Sequence, residues 1–129
     1  YTFKSWDIGE DAKLYFTAPT EIRIADNLDT NAKTYLGPKP GVNGLTAKDI
    51  RLIVLGQNGR NGNPSASLRA GPNAEPRAAK FGERNKVIAN VYVPNGTLWL
   101  REKTDATGAF IARWVVVGED VELTLVSGW

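Results

Sequence analysis

The chain has 129 residues, 42% apolar and 23% charged, and its 16 basic against 14 acidic side chains leave a net charge of +2. That length and balance predict one folded domain over residues 1–129, large enough to hold a core without staples, and the weak net charge offers no strong field for nucleic acid or an anionic membrane surface. Cysteine and histidine are absent, as is methionine, which excludes thiol nucleophiles, Ser-His-Asp triads, thiolate or imidazole zinc sites and cysteine redox switches.

No apolar run approaches the roughly 20 residues of a membrane span, so no membrane insertion is expected. A chain that starts at Tyr1 is read as a processed form or as a module of something longer. In chain order the first predicted elements are the short alternating runs "KLYF", "EIRI" and "KTYL" between Lys13 and Leu36, separated by turn residues such as Ala18-Pro19-Thr20 and Asp26-Asn27. "GPKPGVNG" from Gly37 to Gly44 is a turn cluster. "LTAKD" after it predicts a single helical turn with Thr46 as its cap and Asp49 at the third position. "DIRLIVLG" then reads as a strand covered on both faces, being apolar at both parities. Residues 56–77, "GQNGRNGNPSASLRAGPNAEPR", read as one long excursion loop. Strands return in "KVIANVYV", "TLWL", "GAFIARWVVV" and "VELTLV".

A repeat runs through this pattern. "GEDAKLYF" at Gly9–Phe16, "FGERNKVIA" at Phe81–Ala89 and "GEDVELTL" at Gly118–Leu125 share a Gly-Glu corner followed by alternating apolar positions. Gly82 and Gly118 lie 36 residues apart, which is two turns of about 18 residues each. An offset of 18 sets Val91 on Ala109, Tyr92 on Phe110, Val93 on Ile111 and Leu98 on Val116. The 73 residues from Gly9 to Gly82 then approximate four such periods, and "APTEIRI" at Ala18–Ile24 matches "VPNGTLWL" at Val93–Leu100 as an equivalent corner and strand. Short strands at a fixed period predict a coiled parallel sheet, because one rung cannot bury its inner face until another stacks on it. An antiparallel β-sandwich is the alternative, since short strands broken by Gly, Pro and Asn also describe that fold.

The segment "ANVYVPNGTLWLREKTDATGAFIARWVVVGEDVELTL" resembles a repeat of bacterial surface and envelope proteins. It is similar to the short right-handed β-helix domains of the choice-of-anchor-A and pilus-associated kind, and more distantly to the polymer-forming bactofilins. The resemblance is clearest over about the last 45 residues. It implies a single-stranded right-handed parallel β-helix in a secreted or cell-surface bacterial protein without an active site, so no catalytic residues, metal or cofactor are carried over.

Several side chains are candidates for function. The carboxylates Asp26, Asp29, Asp105, Glu119 and Asp120 are the material for acid-base work or calcium, but "ADNLDT" lacks the ligand series and glycine of a calcium loop. "GQNGRNGNP" looks like a phosphate cradle without its Lys-Ser/Thr, and Arg60, Arg69 and Arg77 make the excursion basic. Tyr92 and Phe110 are predicted to stack on an outer face, with Trp99 facing outward and Trp114 opening a run apolar on both parities that needs cover. These four are the predicted ligand or partner contacts. Tyr1, Phe3, Trp6 and Trp129 are predicted end caps or subunit contacts, since a coiled sheet leaves open rungs at both ends. The expected function is structural: self-association, or association with other domains of a longer surface protein, in adhesion or scaffold assembly. A carbohydrate-binding module presenting the aromatic platform to a polysaccharide is the alternative.

Overall fold

The computed structural model describes residues 1–59 and 76–126. These form β1 (Thr2–Phe3), β2 (Trp6–Ile8), β3 (Lys13–Phe16), β4 (Thr20–Ile24), β5 (Leu28–Thr30), β6 (Tyr35–Pro38), β7 (Ile50–Val54), β8 (Ala79–Phe81), β9 (Lys86–Ile88), β10 (Asn90–Leu100), β11 (Asp105–Gly108), β12 (Phe110–Val117) and β13 (Glu122–Leu125). A single 3-10 turn at Ala47–Asp49 precedes β7, and the Asp49 carboxylate accepts the Thr46 N–H at 2.9 Å, as the capping pattern predicts.

Every strand pairing is parallel. The chain is therefore an all-β protein built of parallel sheets, and the antiparallel sandwich is ruled out. The strands fall into three columns. One runs β1-β4-β7 to the first half of β10 and then β12, the second β2-β5-β8 to the second halves of β10 and β12, and the third β3-β6-β9-β11-β13. The chain visits the columns in order five times, and each visit lays three strands beside those of the previous pass at the usual ~4.8 Å spacing.

Alternation sets what is inside. Ile50, Leu52 and Val54 of β7 are fully buried, while Arg51 and Ile53 between them are half-exposed. Ile22 and Ile24 lie beside Leu52 and Val54 in the same column, and Leu28, Ala79 and Leu98 form the corresponding row of the second. Burying each such Leu or Ile contributes about 1.5–3 kcal/mol, realised only when both neighbouring passes are present.

The shared Gly-Glu motif marks one corner, between the second and third columns. Each pass turns there through one residue in the left-handed region: Asp11, Lys33, Arg84, Lys103 and Asp120, with φ between 55° and 62°. A non-glycine residue costs about 1–2 kcal/mol in that conformation, and backbone hydrogen bonds offset it. The Asp11 N–H donates to Ala32 O, Lys33 to Glu83 O, Arg84 to Glu102 O and Lys103 to Glu119 O, at 2.8–3.1 Å. One residue further on, the buried side chains Thr34, Asn85 and Thr104 form a polar column inside the corner.

The structure corrects the sequence-based counting in three places. Gly9 and Gly82 are two passes apart rather than four, because the connection between β6 and β7 and the excursion both add residues without adding a rung. The "EIRI" and "TLWL" segments occupy different columns, so their corners are not equivalent. Val91 lies beside Phe110, one residue beyond the 18-residue offset, whereas Leu98 lies beside Val115, one residue short of it. A register shift between Val93 and Thr97 produces the change, so the period of 18 holds only as an average.

Candidate functional site: the two ends of the columns

Among the described residues, the inner rows that are closed in the middle of the protein have no further pass over them at the two ends. Val91, Val93, Leu98, Leu100 and Ala106 of the fourth pass have no exposed surface. Their neighbours in the fifth pass are Phe110, Ala112, Val115, Val117 and Leu123. Val115 and Val117 are 46% and 45% exposed, Leu123 42%, and Leu125, beside Gly108, 77%. Among the described residues β12 pairs only with β10, and β13 only with β11. This end thus presents an apolar floor bordered by the free edges of two strands.

The opposite end is aromatic. Phe3 lies beside Ile24, Trp6 beside Leu28, Leu14 beside Leu36 and Phe16 beside Pro38, all in inner rows. Phe3 and Trp6 pack with ring centroids 5.3 Å apart. A cavity of about 350 Å³ opens beside them, lined by Tyr1, Leu14, Tyr15 and Phe16 among others. Tyr15 leans edge-on against Tyr35 at 5.5 Å, and the Tyr35 hydroxyl donates to Pro38 O at 2.6 Å. Burial, and secondarily Tyr15, raises the Tyr35 pKa above its ordinary value of 10.0.

Tyr1, Phe3 and Trp6, predicted as end residues, therefore do gather at one end, and Trp129 lies outside the described residues. The four predicted ligand contacts do not assemble. Tyr92 faces outward in the first column, but its neighbour is Ile111; Phe110 follows Val91 and packs against the core. The stacked Tyr92–Phe110 pair does not exist, because the true register moves Phe110 to the opposite face. Trp99 faces outward in the second column, and the Arg77 guanidinium lies over its ring, 3.7 Å from the centroid, with that of Arg101 at 5.2 Å. Trp114 is half-buried under the Arg113 guanidinium at 4.5 Å.

No match to a protein-family model, a curated protein or a solved structure is found for the chain at a significant level. What the ends can do is therefore read from their own geometry.

The described foot of the excursion is fastened by Asn58, whose side-chain oxygen accepts the N–H groups of Thr97 (2.9 Å) and Ala78 (3.0 Å) while its amide donates to Thr97 Oγ1 at 2.7 Å. Arg60 and Arg69 lie outside the described residues. Asp29 pairs with Lys80 at 3.2 Å on the outer face of the second column, and among the described residues no three acidic groups gather to hold a metal. No helix among them is long and apolar enough to cross a membrane.

Sequence reasoning passed over Tyr15, Val115, Val117, Leu123 and Leu125 as end residues. The signal was available in "VELTL", the last copy of the repeat, whose alternating leucines face inward with no further described pass beyond them.

Proposed function

We propose that this chain is a single-stranded right-handed β-helix that serves as a non-catalytic structural module of a secreted or cell-surface bacterial protein. It associates with itself or with neighbouring domains through its ends, in adhesion or scaffold assembly. The observation that supports this most directly is the exposure of Val115, Val117, Leu123 and Leu125, which continue rows that are completely closed one pass earlier. Apolar floors with free strand edges bury their surface against another chain or aggregate. The parallel pairing in three columns supports the helical part of the reading, and the shared left-handed corner supports a constant cross-section from end to end. Sedimentation velocity over a hundredfold range of concentration tests it. Mass rising with concentration is expected; a single monomeric species throughout contradicts self-association.

A further inference from the structure

We infer that the association is head-to-tail between copies of this chain, the Leu125 end of one copy seating on the aromatic end of the next in the register the columns already use; the inference rests on the self-association reading above. Three features of the ends support it, and the acidic corner opposes it.

The first is charge. The outer row of the third column runs Lys13, Tyr35, Lys86, Asp105, Glu122. Continued by one more pass, it sets Glu122 beside Lys13 of a second copy.

The second is shape. In the same register Ala112 follows Val93 toward Phe3 of the next copy, and Val115 follows Leu98 toward its Trp6, so small side chains meet large ones. Leu123 and Leu125 meet Leu14 and Phe16, which line the 350 Å³ cavity. The exposed Leu125 of one end thus faces an apolar opening of the other.

The third is the backbone. Each left-handed corner residue donates its N–H to the carbonyl just before the corner residue of the next pass. Continued across the seam, Asp120 donates to Glu10 O, and Lys13 N–H donates to Val121 O as Tyr35 does to Ala12 O. The corner side chains oppose the contact, since Glu119 and Asp120 meet Glu10 and Asp11, but Glu10, Asp11, Glu119 and Asp120 are exposed. Such solvated side chains can turn into water, where an exposed charge pair contributes only about 0–1 kcal/mol.

Sedimentation velocity on the parent and on Leu125→Asp, Lys13→Glu and Glu122→Lys tests this, with circular dichroism and melting to show that each variant is folded. Leu125 and Lys13 are exposed, so substitution leaves the interior intact. The expected result is an open series of oligomers in the parent, and a monomer for Leu125→Asp at concentrations where the parent associates. Each charge reversal weakens association about tenfold, and the parent distribution returns when Lys13→Glu and Glu122→Lys are mixed. A series that stops at the dimer, or one that none of the three substitutions affects, overturns the polarity and register while leaving self-association standing. A parent that is monomeric at every concentration overturns both.

Discussion

At the scale of single residues, the corner between the second and third columns is held by polar side chains that a hydrophobicity pattern cannot rank. Asn85 is buried and accepts from Thr30 Oγ1 at 2.5 Å while donating to the carbonyls of Asn31 (2.8 Å) and Glu83 (3.1 Å). Asn85→Ala strands those partners inside the corner and is expected to lower stability by about 1–3 kcal/mol, read as a lower urea midpoint. Gly108 is more constrained. Its φ is 147°, and a Cβ there would lie 1.8 Å from Ala89 O. Gly108→Ala should cost at least about 2 kcal/mol in the same assay. A midpoint unchanged by either substitution would remove the corresponding account.

At the scale of elements, β10 shows how one strand serves two columns. Its first half pairs with β7 and its second with β8, and the register shift at Pro94-Asn95-Gly96 lets it turn between them. The sequence predicts two strands around a Pro-Asn corner; the corner is there, but the strand runs through it. The run "RWVVVG" divides between the two faces of the second column. Val115 and Val117 belong to the open inner row and Val116 to the outer one, so the cover it needs is at the end of the molecule rather than along its side. In the third column, Tyr35 on β6 links stability to pH. Its folded pKa is raised above 10.0, so the folded state holds the proton more tightly than the unfolded chain. That contribution is complete below pH 10 and is lost as pH rises toward the folded pKa. Tyr35→Phe should flatten the fall in stability above pH 10, measured by urea titration at stepped pH. A decline identical to the parent's would show that Tyr35 does not drive it.

At the scale of the whole molecule, stability is a chain of nearest-neighbour contacts between passes. The middle passes have neighbours on both sides, whereas β1 and β13 each pair on one side among the described residues. Amide hydrogen exchange should therefore be slowest in β7, β8 and β9 and fastest in β1 and β13, with the end strands opening below the global unfolding free energy. Uniform protection from end to end would contradict this picture. If the ends associate, protection of β13 should rise with protein concentration while that of β8 stays unchanged.

The sequence alone determined the all-β character and the recurring corner, because these depend on local alternation and on a repeat that survives in Gly9, Gly82 and Gly118; it favoured parallel stacking, and the strand pairings excluded the antiparallel alternative. It also placed Tyr1, Phe3 and Trp6 at an end. Only the tertiary structure decided the register, because one residue more than the average period between Val91 and Phe110 is enough to put Phe110 on the inner face instead of the outer one. It alone decided how many passes separate the corners, since an excursion changes the residue count without adding a rung. And it alone showed that Leu123 and Leu125 lie in inner rows with no further pass over them among the described residues, because a leucine in an inner row reads the same in sequence whether or not another pass lies above it.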